Sequence, residues 1–291
     1  MKYNSMAVIG RFVRISNLVG KMAEVKTITA SSINLIDESF DSTKSNMYHL
    51  SILVNEKKIT QAILDTNTNK YLVLQNNSPH PKASFKSVSC CIANNKFTFI
   101  PSALFDEEKK ESLLGFNHEI KNDEEVFADS LHNLDAKNLF TIPKSLSVEI
   151  RKQFPNANFI HSSTAFIEGL LVQHKNNSGK KVFANFYPSH FEIVIIDGKE
   201  LFFCNAFNYQ TPEDIAYYIL FVYEQLNLNP ETIELVLSGE IEKLAKEYSL
   251  LYTYIRNVKF ASRPDGFKYS YKFEEIPPHK YFSLFTQYLC A

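Results

Sequence analysis

Glycine is scarce. The 291-residue chain carries only 8, against a usual share near 7%. No two are spaced as G-x-G-x-x-G, and no Gly-Lys-Ser/Thr triplet occurs. Rossmann and P-loop sites need those glycines, because side chains would keep backbone N–H groups away from phosphate oxygens. Both classes are excluded. No apolar run approaches the roughly 20 residues that span a bilayer, which excludes a membrane span. A formal net charge of −1 gives no global field toward nucleic acid or an anionic membrane. A nucleic-acid stacking platform would also need lysine and arginine around its aromatics, so that partner is not expected. Four cysteines, two of them adjacent, do not make a secreted disulfide framework. Cys90 and Cys91 would point to opposite faces of a strand, cannot chelate one metal together, and read as buried small hydrophobes. A reduced, cytoplasmic compartment fits. The 8 histidines are scattered, with no H-E-x-x-H and no His/Cys cluster at metal spacing. No G-x-S-x-G elbow supports a hydrolase. No catalytic residue and no metal ligand is therefore assigned.

What is present is a globular composition, 45% hydrophobic and 13% aromatic, long enough for one large domain or two smaller ones. The stretch Val182 to Gly239 organises it. Val182–Tyr187, His190–Ile196 and Glu200–Ala206 read as three strands. Asp197-Gly198 joins the last two as a type I′ hairpin turn, which requires φ > 0 at both central positions. Thr211-Pro212-Glu213-Asp214 opens a helix: Thr211 can cap, Pro212 suits the first position, and the acids oppose the dipole. Ile215, Tyr218, Ile219, Val222 and Leu226 form its apolar stripe. Ile233–Leu237 reads as a buried parallel strand ending at Ser238-Gly239. A further helix is expected from Glu240, with Ile241, Leu244, Ala245, Tyr248 and Leu251 on one face.

The first half partly repeats this plan, and an internal duplication is expected. Tyr48–Val54, Lys58–Asp65 and Tyr71–Gln75 read as a second three-stranded meander. Asn76 to Phe85 offers Pro79 and Pro81 where a crossover helix belongs, which argues for a loop. Ser87–Ala93 and Phe97–Ile100, joined across Asn94-Asn95, Glu124–Ser130 and Asn138–Ile142 are further strands. Pro143 starts a helix, Phe159–His161 is a short strand, and Ser163 is expected to cap the helix Ala165–Gln173. Asn176–Lys180 is the best domain boundary. Ser262–Pro278 reads as irregular and Tyr281–Leu289 as a closing helix. Residues 1–21 contain Lys2, Arg11, Arg14 and Lys21 and no acid. They are expected to lie outside the fold, with Met22 the real start. The expected division is residues 1–21, a first half at 22–175 and a second at 176–291.

Two acid runs, Asp106-Glu107-Glu108 and Asp123-Glu124-Glu125, are read as solvated turns or helix starts, since consecutive acids do not converge from one regular element. His190 and Glu192 share a strand face and are expected to be a surface pair. The surplus is aromatic, with 24 Phe and 15 Tyr. A few of Tyr187, Phe202, Phe203, Phe207, Tyr209, Tyr217 and Tyr218 at a cleft rim would suit a protein or peptide partner.

The strand–helix order resembles one half of the actin-like fold. The segments Phe99-Ile100-Pro101-Ser102-Ala103-Leu104-Phe105-Asp106, Asn205-Ala206-Phe207, Glu213-Asp214-Ile215-Ala216-Tyr217 and Leu235-Val236-Leu237-Ser238-Gly239-Glu240-Ile241 resemble an uncharacterised bacteroidete family of unknown function. That family is related in fold to PilM, the type IV pilus assembly protein, and to its secretion-system relative GspL. The similarity runs from about Met22 to the C-terminus. It implies an α/β actin-like ATPase fold of two ribonuclease-H-like halves with mixed sheets, the first degenerate. In actin-like ATPases the first hairpin of each half supplies a glycine-bearing phosphate loop introduced by an aspartate, which serves phosphate and Mg²⁺. Asn185–His190 here has no glycine and no carboxylate, with Asn185 near the expected Asp. Leu50–Lys58 has Glu56 and two lysines but no glycine. Only Ser238-Gly239 keeps the look of the adenosine-side turn. Asn185, Ser238 and Gly239 are thus the candidate residues of a vestigial nucleotide cleft. No cofactor is expected, with ATP the alternative ligand. PilM-like relatives grip a partner peptide, so the resemblance implies a scaffold or adaptor; a divergent nucleotide-binding ATPase is the rival reading.

Overall fold

A computed structural model describes residues 33–291, apart from Lys57, His80 and Lys82. The expected extension at 1–21 and the start at Met22 lie outside the described residues. The first sheet contains β1 (Asn34–Ile36), β2 (Tyr48–Val54), β3 (Ile59–Asp65), β4 (Lys70–Asn76) and β5 (Ser87–Ile92). The loop expected between β4 and β5 is present. After β5 the chain leaves this sheet. It builds a separate antiparallel one from β6 (Phe97–Pro101), β7 (Glu124–Leu131) and β8 (Ala136–Pro143), in the order β6-β8-β7. Asn94-Asn95 joins the two strands the sequence suggested, but they belong to different sheets. Asn94 bonds the Thr141 carbonyl through its side-chain amide at 2.9 Å, turning the chain from one sheet to the other. Helix α1 (Lys110–Gly115) packs on this insert, α2 (Lys144–Gln153) follows it, and β9 (Asn158–His161) rejoins the first sheet beside β5.

Helix α3 (Ser162–His174) leads into the second sheet. That sheet contains β10 (Lys180–Phe186), β11 (His190–Asp197), β12 (Glu200–Asn208), β13 (Leu235–Gly239) and β14 (Val258–Phe260). Helices α4 (Pro212–Gln225) and α5 (Lys246–Tyr254) connect its last three strands. The path β4-β3-β2-β5-β9 in the first sheet is matched by β12-β11-β10-β13-β14 in the second. In each, an antiparallel meander has its first strand in the centre, with two parallel strands added on that strand's other side. The two sheets repeat one topology, and both are mixed.

Alternation along the second sheet separates its two faces. Val182, Ala184, Phe186, Ile193, Ile195 and Leu237 pack with α4 and α5, while Phe183, Val194, Ile196 and Val236 join the core shared with the first half. Thr211 caps α4 in a capping box with Asp214, as its sequence requires. Three local expectations fail. The β11–β12 loop is Gly198-Lys199, since Asp197 pairs with Glu200; only Gly198 has positive φ (61°), the type II′ pattern. Helix α5 starts at Lys246 rather than Glu240, leaving Leu244 97% exposed. Ile241 is buried without a helix because the chain turns back on Gly239, whose carbonyl accepts the Ile241 N–H at 3.0 Å. The α3 cap is His161, not Ser163: its imidazole Nδ1 accepts the Ser163 N–H at 3.1 Å.

The chain's end returns to the first sheet. After β14, β15 (Lys268–Tyr269) adds in parallel to β4, and α6 (Phe282–Thr286) packs on β2, β3 and α3. All of Ser162–Leu171 in α3 is buried, as a helix packed on several sides must be. Gly169 admits α6: a Cβ there would overlap Thr286 Cγ2 and lie 2.7 Å from Phe282 Cε1. Helices α3 and α6 thus line the seam between the two sheets.

Candidate functional site

The structure brings Asn185, Ser238 and Gly239 together. Strands β10 and β13 run parallel, with Asn185 beside Ser238 and Phe186 beside Gly239. Gly239 is needed twice over. Its φ is +84°, and a Cβ would overlap the Phe186 carbonyl oxygen and lie 2.8 Å from Asn185 Oδ1. The polar groups of the turn are already partnered. The His279 carbonyl accepts both the Gly239 N–H (2.9 Å) and the Ser238 hydroxyl (3.0 Å). The His279 ring lies 2.8 Å from the Ile241 carbonyl through Nε2, so the segment before α6 is fixed on both sides of the turn. Asn185 is 3% exposed, and its amide donates to Tyr187 Oη at 2.7 Å.

The hairpin ends that the resemblance assigns to phosphate are occupied by side chains. From the first half, Lys58 follows the β2 turn and reaches Glu240 in the second half, 2.7 Å away. Its ammonium also lies over the Tyr281 ring, 5.5 Å from the centroid. Burial alone would lower the Lys58 pKa, but Tyr281 and Glu240 outweigh it and raise it. From the second half, Tyr187 stands where the β10–β11 turn begins, and it is buried in the first half's cluster with Leu53, Cys91 and Ile160.

Sequence reasoning put Glu192 on the surface and passed over Asp129, yet both are acids of this seam. Glu192 lies directly across the strand pair from Asn185 and is fully buried. Burial pushes its carboxyl up to about 8, against the opposing hydrogen bond of Ser162. Oε1 accepts from Ser162 Oγ at 3.0 Å, and Oε2 takes no donor. His190 is also buried, stacked on Tyr187 at 4.8 Å, with its imidazole pushed down to about 4 by burial. The expected surface pair is therefore an interior one, because the first half covers the strand face that carries it. Asp129 of β7 is a second interior acid. It accepts from the His161 N–H (2.7 Å) and Thr164 Oγ1 (2.8 Å), and burial pushes it up to about 7. The signal for Glu192 was available: a charged residue flanked by apolar neighbours in a strand buried on both faces.

The acid runs divide. Asp106 caps a short 3-10 helix, as expected. Glu124 instead holds Lys96 at 2.8 Å in a part-buried pair. Among the described residues, no group of three or more His, Cys, Asp or Glu could hold a metal ion, and no helix is long and apolar enough to cross a membrane. Beside the Gly239 turn lies a concavity of about 140 Å³ between β10, α4 and α5. Phe186, Ile215, Ile241 and Ala245 line it with Tyr209, and Glu240, Glu242 and Glu247 supply its carboxylates.

The comparisons agree with this architecture. The model of a family described as protein of unknown function (DUF3822) matches residues 37–258. A Bacteroides thetaiotaomicron protein with actin-like ATPase fold and unknown function superposes with a TM-score of 0.75 at 25% identity, over 87% of this chain and 99% of that one. A chain of the PilM–PilN type IV pilus biogenesis complex superposes with a TM-score of 0.52 at 10% identity, over 83% of this chain and 98% of that one. Among curated proteins none matches the sequence. The fold is actin-like, as the sequence led one to expect.

Proposed function

Because the chain belongs to the DUF3822 family, whose function is unknown, we propose that it is a catalytically degenerate actin-like protein that works by binding. In this reading it is a cytoplasmic scaffold or adaptor for a protein or peptide. One observation carries the proposal: the Ser238-Gly239 turn already has the His279 carbonyl on both its hydroxyl and its N–H. A nucleotide on this turn would have to break those bonds and the Lys58–Glu240 pair together.

The electrostatics support the same reading. Phosphoryl transfer depends on positioned N–H groups, cations and metal-holding carboxylates around the phosphates. Here Lys58 is tied to Glu240, and Glu192 is held neutral inside the seam. The neighbouring concavity carries glutamates, which repel phosphate. In the PilM–PilN complex a chain of this fold is assembled with another protein, a precedent for a partner here. Isothermal titration with ATP and Mg²⁺ tests the proposal. No heat of binding at millimolar nucleotide is expected. Micromolar binding that is abolished by Asn185→Ala and weakened by substitution at Gly239 would replace it with the nucleotide-binding reading.

A further inference from the structure

The concavity between β10, α4 and α5 lies on the face of the second sheet that carries those helices, and it has both an open mouth and an unused charge. Its floor is apolar, formed by Phe186, Ile215, Ile241 and Ala245, and Tyr209 makes one wall. Three carboxylates line it and no base does. Two of them are compensated from outside, Glu240 by Lys58 at 2.7 Å and Glu242 by Lys280. Glu247, half-buried in the first turn of α5, makes no ion pair among the described residues. The site therefore combines a greasy floor, an aromatic wall and one uncompensated negative charge.

Size narrows the occupant. Small-molecule pockets run to roughly 300–1,000 Å³, whereas a cavity of about 150 Å³ takes a group the size of benzene. At about 140 Å³ this one suits a single side chain. A bare metal ion is not indicated, since no such ligand group exists among the described residues. A phosphate would meet only carboxylates. An aliphatic stem ending in a cation satisfies every surface at once. Its methylenes cover the apolar floor, the charge meets Glu247, and a guanidinium can stack on Tyr209. We infer that this concavity is a docking pocket for an arginine or lysine side chain of a partner polypeptide.

This inference rests on the scaffold reading and names the chemistry of its partner. The test is a titration of the full chain with N-acetyl-arginine methylamide, followed by NMR of the Ile and Ala methyl groups. The same titration with the neutral citrulline analogue is the control. Saturable shifts at Ile215, Ile241 and Ala245 are expected, at least tenfold weaker with citrulline. Glu247→Gln should weaken arginine binding at least fivefold while leaving the unliganded spectrum folded. Arginine that leaves these methyls unmoved, or moves them no more than citrulline does, overturns the pocket. The two claims fail separately: ATP binding by calorimetry removes the scaffold reading, whereas an arginine null without ATP binding removes only the pocket.

Discussion

Glu192 should make stability depend on pH in a way that one isosteric substitution removes. Its carboxyl faces Ser162 of α3, Asn185 of β10 and Tyr187 of the turn after it, with Cys91 and Cys204 nearby and no cation among them. The folded protein holds this proton up to about pH 8, while the unfolded chain gives it up near the ordinary value of 4.5. A folded-state pKa raised in this way contributes stability that is complete below pH 4.5 and is lost as pH rises through 8. At about 1.4 kcal/mol per pH unit, the whole window is worth on the order of 5 kcal/mol. Asp129 acts in the same direction between 3.8 and about 7. The buried imidazoles of His49, His161 and His190, pushed down by burial, act oppositely and favour the fold as pH rises to 6.5. The difference between wild type and Glu192→Gln isolates the carboxyl, because glutamine keeps the neutral acid's shape and its carbonyl can accept from Ser162 Oγ. Urea midpoints should coincide near pH 4.5 and diverge steadily. By pH 8 the glutamine variant should be the more stable, by roughly 1 M in midpoint. A difference that stays flat from pH 5 to 8 would refute a neutral Glu192.

Three further substitutions probe the frame around the seam. Gly239→Ala should cost at least about 2 kcal/mol in urea unfolding, since it combines a strained φ with a collision on the Phe186 backbone. Thr211→Ala should cost about 1 kcal/mol through loss of the α4 capping box, and a change below a few tenths would show that the cap is dispensable. Lys58→Met should cost less than about 1 kcal/mol, shrinking with added salt, because Glu240 retains access to water. An unchanged cost at high salt would mean that Lys58 acts through packing alone.

Much of the fold was legible because local chemistry and pattern agreed. Thr211, Pro212 and Asp214 form the cap their types require, and the β-rich runs of β10 and β11 around Asp197-Gly198 gave the sheet that organises the second half. Proline at 79 and 81 correctly argued against a crossover helix. The failures arose where long-range contacts overrule local pattern. Leu244 continued an apolar helical period, yet the N–H groups of Glu240 and Ile241 are taken by the Phe186 and Gly239 carbonyls and helix formation waits until Lys246. His161 was not read as a cap because imidazole seldom takes that role, and only the buried geometry shows its Nδ1 on Ser163. The candidate residues Asn185, Ser238 and Gly239 do converge. What the sequence hid was their surroundings, since His279 and Ser283 reach them from the far C-terminal segment, which was read only for its local structure.

The central claim is that the protein's own groups fill the place a nucleotide would take. A crystal structure grown in millimolar ATP and Mg²⁺ examines it most directly. The His279 carbonyl should remain on the Gly239 N–H and the Ser238 hydroxyl, the Lys58–Glu240 pair should persist, and no nucleotide density should appear between the sheets. Triphosphate density at the β2–β3 and β10–β11 turns, with Lys58 swung from Glu240 onto it, would contradict the account.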